Sequence, residues 1–264
     1  MENRIGIEVP STPAPFAIDG DAVMDPAIER TTDKYMAAYV RLQSDEGGPL
    51  RRWLLEQGVS PYYVRMAWLG CVDVEGAEDF LGWRPFVRGG QALVVVPGND
   101  PADMWPRCVL CAPGEGGVID VLKPDKHALD LWNGHLLVSG EDVVAIYPDP
   151  IAAIAHLGAT GLAAVGLCGK GSAQAVSRAL WAAAPVRRPG RVLVALEGDA
   201  AEVVTRALGA MGIEHLKVAP IQKGGAADGS LEEGMAAGGA GAGAGCSTPS
   251  YHGMQTEVWG CPHE

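Results

Sequence analysis

From residue 142 onward the chain alternates short apolar runs with longer stretches of helical spacing. Residues 142–149 (DVVAIYPD), 164–169 (AVGLCG) and 191–199 (RVLVALEGD) are apolar runs that finish on Gly, Pro or acidic residues. Runs bounded in this way read as parallel strands buried on both faces. Residues 150–157, the segment that Ser172 opens, and residues 200–208 carry helical spacing between them, and 212–220 reads as a last strand. Strand and helix in alternation predict βαβ units and an α/β sheet. Ligands of such sheets bind beyond the carboxyl ends of the strands, where Asp149, Glu197 and Asp199 fall. Three carboxylates converging there would favour a hard divalent cation such as Mg2+.

Before residue 140 the pattern differs. Asp25 ahead of Pro26 is an N-cap and first-turn signature, and Ile28, Thr32, Tyr35, Tyr39 and Leu42 then share one helical face. A second helix begins at Pro49 and closes on Gly58, and Ser60 with Pro61 opens a third. The last two resemble a helix-turn-helix pair bearing Arg51, Arg52 and Arg65; the pattern is that of a packing unit, with DNA contact as the alternative. Residues 92–96, 107–112 and 117–122 are short strands separated by turn residues, which predicts a small antiparallel sheet ahead of the parallel one. Residues 1–24 are proline-containing without helical period, and 224–245 is mostly Gly and Ala. Neither can bury a core. The expected organisation is a loosely ordered leader (1–24), a helical and short-strand α+β region (25–140), an α/β domain (141–223) and a flexible tail (224–264).

Charge changes this picture only locally. The net charge of −12 would oppose phosphate binding if spread evenly. Instead, residues 1–46 carry 9 acids and 4 bases, and 224–264 carry 5 acids and no base. The interval between them, with 18 acids and 16 bases, is nearly neutral and compatible with a local basic groove. No run is long and apolar enough for a membrane span and no signal peptide is evident, so no membrane association is expected. Six cysteines without framework spacing fit the reducing cytoplasm.

Several candidate motifs reduce to simpler readings. Cys108 and Cys111 are three apart in a strand, so they face opposite sides, and no second pair completes a zinc site. Cys246, His252, Cys261 and His263 match no standard zinc spacing, so no zinc is predicted. The turn around Lys170 follows a strand and opens a helix, which suits an anion. It lacks the phosphate-loop spacing, with Gly171 where Ser or Thr should follow the lysine. Lys170 is therefore kept as a phosphate or nucleic-acid contact, together with Arg51 and Arg52. The lone histidines 127, 135 and 156 form no triad with a nucleophile.

The order of these elements resembles the Toprim domain. The family's Glu-Gly-x-x-Asp-Ala-Leu-Ala motif is similar to residues 149–155, and its Asp-Gly-Asp-Ala-Ala-Gly motif to Glu197, Gly198, Asp199, Ala200, Ala201 and Glu202. Residues 132–137 resemble the segment ahead of the Toprim core in bacterial-type primases. Residues 53–60 resemble the Tyr-Leu-x-x-Arg-Gly-(Leu/Ile)-Ser that opens the primase core, with Gln57 where Arg is usual. The resemblance covers roughly residues 48–230. Asp149, Pro150, Ala153 and Glu202 depart from the family's Glu, Gly, Asp and Gly.

The resemblance implies a Toprim-like (Rossmann-like) parallel sheet with flanking helices. It implies Asp149 as general acid/base and Glu197 with Asp199 as holders of Mg2+, with Asp228 near the family's further acidic position. The implied function is a cytoplasmic, primase-like Toprim protein of DNA replication or mobile elements, performing metal-dependent nucleotidyl transfer. Its partners would be DNA or RNA, nucleotides, and a helicase or other replication protein acting in trans. The alternative, which Pro150, Ala153 and Glu202 in place of the family's Gly, Asp and Gly favour, is a catalytically degenerate Toprim module for nucleic-acid binding or replication-complex assembly. A Rossmann cofactor enzyme ranks last, for want of a Gly-x-Gly-x-x-Gly turn.

Overall fold

The computed structural model describes residues 26–87, 91–98, 107–124 and 128–219, with residues 26–31 described by their backbone alone. The leader, the Asp25 cap, the Ile28 side chain, His127, Asp228 and the whole 224–264 tail lie outside the described residues.

Helix α1 spans Pro26–Gln43, as its proline start predicts, and buries Tyr35, Ala38 and Leu42 on one face. Helices α2 (Gly48–Glu56) and α3 (Pro61–Met66) follow, and the Ser60 hydroxyl accepts from the Tyr63 N–H at the start of α3. Strand β1 (Gly70–Val72) and helix α4 (Val74–Leu81) come next. Neither stands out in the hydrophobic pattern: β1 has three residues, and α4 is set by Asp73, whose Oδ1 accepts from Gly76 N–H at 2.7 Å. Strands β2 (Leu93–Pro97), β3 (Cys108–Gly114) and β4 (Gly117–Leu122) complete an antiparallel sheet of order β1-β2-β3-β4. Gly70 lets α1 lie against β1, since a Cβ there would meet the Ala38 carbonyl carbon at 2.8 Å.

The second sheet contains β5 (Leu131–Trp132), β6 (Val143–Tyr147), β7 (Ala163–Leu167), β8 (Arg191–Val194) and β9 (Glu214–Lys217), in the order β5-β7-β6-β8-β9. Its helices are α5 (Pro150–Thr160), α6 (Ser172–Ala182) and α7 (Gly198–Ala210). Four strands are parallel, but β5 runs antiparallel to β7, so the sheet is mixed where the sequence predicts a parallel one. Two residues are too few to show a strand period, which is why β5 goes unread upstream of residue 140.

Strand alternation divides the interior. On one face of the mixed sheet Val144, Ile146, Val165, Val192 and Val194 pack with Val176 and Leu180 of α6 and Val204 and Leu208 of α7. On the other face Ala145, Tyr147 and Ala164 join Ile151 and Ile154 of α5, Leu54 of α2, and Val94, Val96, Val109 and Cys111 of the antiparallel sheet. The two sheets thus share one core, with α5 between them. The outer face of the antiparallel sheet packs Leu93, Val95, Cys108 and Leu110 against Tyr35 of α1 and Leu81 of α4. Cys108 and Cys111 therefore occupy different cores, as the strand period predicts, and cannot share a metal ion. Burial raises the Cys108 thiol to about 12 and also pushes the Cys111 thiol well above its ordinary value, with the Asp149 charge adding to the latter.

Candidate functional site

Strands β6 and β8 are parallel neighbours, with Ile146 opposite Val194 and the Ala195 N–H bonded to the Ile146 carbonyl at 2.9 Å. Their carboxyl ends lead directly to the predicted acids. Asp149 follows β6 and is the N-cap of α5: its backbone is extended (φ −150°), and its Oδ1 accepts from Ala152 N–H at 2.9 Å. Pro150 occupies the first helical position, where no N–H is needed. Glu197 follows β8 as the residue before α7 and makes no side-chain cap, while Asp199 lies in the first turn of α7. Asp149 is half-buried; Glu197 and Asp199 are exposed.

The turn holding Asp149 is pressed onto β7. A Cβ on Gly166 would lie 2.6 Å from Pro150 Cα and 2.9 Å from the Asp149 carbonyl oxygen. Only glycine allows this approach, so Gly166 positions the acid as surely as β6 does. Gly166 lies within β7, paired with Tyr147.

Asp149 opens into a cleft of about 450 Å³ between the mixed sheet and β4. Tyr147, Ile151, Ala152 and Ala155 form one wall, and residues 116–121 with the edge of β4 form the other. Gln57, Gly169 and Lys170 also line it. Lys170 thus comes to the same cleft as Asp149. So does Gln57, the position where the primase resemblance leads one to expect arginine. Asp120 adds a carboxylate that the strand pattern of β4 gives no reason to single out.

Glu197 and Asp199 are not among the cleft residues. Among the described residues no group of three or more His, Cys, Asp and Glu side chains is placed to hold a metal ion. The strand ends bring the acids to one end of the sheet, but Oδ1 of Asp149 is engaged on a helix N–H and the α7 acids face solvent.

Arg51 is engaged within the fold. Its guanidinium donates to the carbonyls of Leu42 and of Ser44, which close the end of α1. Arg52 is exposed on α2 and Arg65 on α3.

Behind the cleft wall a polar chain is fully matched. Tyr147 O–H and His156 Nδ1 are 2.8 Å apart, and His156 Nε2 lies 3.2 Å from Thr160 Oγ1. Thr160 O–H donates to the His156 carbonyl, so its oxygen accepts from His156 Nε2–H and from Leu162 N–H. Nδ1 is then the bare acceptor of the tyrosine proton. Burial holds the His156 pKa below its ordinary 6.5. The unfolded chain takes up this proton near pH 6.5 while the folded chain resists it, so stability present above that pH is lost as pH falls through the folded value. The melting temperature is expected to drop between pH 7.5 and 5.5. His156→Gln should flatten that limb, and an unchanged slope in the variant would contradict the assignment.

Among the described residues no helix is long and apolar enough to cross a membrane. No family model and no curated protein matches the sequence. Solved structures do match. A DNA primase domain from Pseudomonas aeruginosa is 12% identical with a TM-score of 0.53, over 75% of this chain and 73% of that one. The E. coli primase catalytic core is also 12% identical, with a TM-score of 0.52 over 75% of this chain and 74% of that one. A DnaG primase catalytic domain bound to ssDNA is 11% identical, with a TM-score of 0.50 over 74% of each chain. At such identities the likeness concerns the fold alone, which this chain shares with these primase catalytic domains over about three quarters of its length.

Proposed function

We infer that the chain is a catalytically degenerate Toprim-like module that binds nucleic acid, serving as a binding or assembly element of a replication complex. The observation that carries this is the state of the acids at the sheet end. Asp149 acts as a helix cap, and the carboxylates form no metal-holding group among the described residues, while the fold and the cleft between the sheets are retained. Lys170 offers the cleft a cation, and Gln57 and Asp120 leave it mixed in charge. A binding module needs shape and a few phosphate contacts; nucleotidyl transfer needs the acids held together around the reacting atoms.

The second reading is an active primase-like enzyme, with Asp149 as acid/base and Glu197 and Asp199 as ligands of Mg2+. The adjacency of β6 and β8 supports it, because both strands deliver acids to the same sheet end. Template-directed primer synthesis by the full chain separates the two. For a module without catalysis, wild type and Asp149→Glu are both expected to make no primer in millimolar Mg2+ while retaining single-strand binding. Incorporation that rises several-fold in Asp149→Glu would establish the enzyme instead, because the longer acid restores about one methylene of reach. Absence of any single-strand binding would remove the module reading as well.

A further inference from the structure

From Pro150 to Leu196 the sequence carries no Asp or Glu, yet it holds Lys170, Arg178, Arg187, Arg188 and Arg191. In a chain of net charge −12 this is a pronounced local excess of cations. The fold sets Lys170, Arg178, Arg187 and Arg188 along or at the ends of one helix, α6. Lys170 lines the cleft immediately before α6. Gln174, Arg178 and Trp181 follow at i, i+4 and i+7, so they form one exposed stripe down α6. At its far end lie Val186, 87% exposed, and Arg187. Trp181 is 57% exposed, a large apolar area with no role in the core. Arg188 is fixed beside it: its Nε donates to the Leu180 carbonyl at 2.9 Å and its guanidinium carbon stands 5.9 Å from the indole centroid.

We propose that the exposed face of α6 is a track for single-stranded nucleic acid that continues from the cleft, with Trp181 as a base-stacking platform and Lys170, Arg178 and Arg187 contacting successive phosphates. This deepens the nucleic-acid reading above and rests on it. An aromatic face bordered by arginines suits a single strand, because every base offers a π-face and the backbone supplies the negative charge. The eleven residues of α6 extend about 16 Å, the stacked length of about five nucleotides. A protein partner could cover Trp181 and Val186, but the carboxylate-free stretch favours a polyanion. Among the described residues, Asp130, Glu141 and Asp142 approach the track. Asp130 stands 3.7 Å from Arg178 in an exposed pair, which a phosphate can displace at little cost. Glu141 and Asp142 meet the far turn through their backbone carbonyls, which accept from the N–H groups of Gly190 and Arg191.

The test is an anisotropy titration of the full chain with a labelled oligo-dT of about twenty nucleotides, at several salt concentrations between about 50 and 200 mM. Trp181→Ala is expected to weaken binding about tenfold. The Arg178→Ala/Arg187→Ala pair is expected to reduce the slope of log affinity against log salt by about 1.4, or about 0.7 for each phosphate no longer neutralised. Lys34→Gln, on α1 and bonded to the Asp79 carbonyl, serves as the control and should bind as wild type. All of these side chains are on the surface, so melting temperatures should not move. Wild-type affinity and slope in both α6 variants would overturn the track, leave the nucleic-acid reading standing, and mark Trp181 and Val186 as a protein-contact surface. A wild-type chain that does not bind the oligonucleotide would overturn both.

Discussion

Gly166→Ala is expected to cost about 2–4 kcal/mol of stability, and to lower the melting temperature by roughly 5–15 °C for a domain of this size. The added Cβ would lie 2.6 Å from Pro150 Cα and 2.8 Å from its nitrogen. Both are backbone atoms of the turn between β6 and α5, so no side-chain rotation relieves the overlap. Either β7 retreats from β6 or the turn lifts away from it. In the second case Asp149 Oδ1 leaves Ala152 N–H, one wall of the cleft shifts, and oligonucleotide affinity falls together with stability. Thermal unfolding and the binding titration read the two effects separately. A variant melting within about 1 °C of wild type would show that the turn approaches β7 less closely than these distances require.

Trp132→Ala is expected to cost about 3–5 kcal/mol, because the indole is 2% exposed and fills the core shared by the two sheets from the end of β5. Trp132→Phe should be much milder. Nε1 of Trp132 is buried and has no hydrogen-bond partner among the described residues, so phenylalanine removes an unmet donor whose burial costs about 1–3 kcal/mol. Part of the packing deficit is offset in this way. Urea unfolding of the three proteins tests the comparison. A phenylalanine variant as unstable as the alanine one would mean that Nε1 is satisfied in solution.

Asp149 shows how one residue can carry two signals. Asp149-Pro150 has the same form as Asp25-Pro26, from which the start of α1 is expected, and the structure uses it as a cap for α5. The Toprim resemblance draws attention to its acidity, and the chain also employs its Oδ1 on a helix N–H. Arg51 is a different case. No local pattern indicates that its guanidinium closes α1, because Leu42 and Ser44 lie in another element, across the turn at residues 45–47. Gln57 is visible as a departure from the primase-like segment, but only the packing of α2 against α5 through the shared core places it in the cleft with Asp149.

The strands β6, β7 and β8, the helices between them, and the delivery of acids to the strand ends were determined by the sequence, because buried parallel strands and capped helices are specified by residues near one another in the chain. The opposite burial of Cys108 and Cys111 follows from the same two-residue period. The mixed sheet, the cleft facing β4 and the pressing of Asp149 onto Gly166 were decided by the tertiary structure. Each depends on how two sheets with a common core meet, and the partners involved lie far apart in the chain. Periodicity can say which face of an element is buried. It cannot say which distant backbone that face is pressed against.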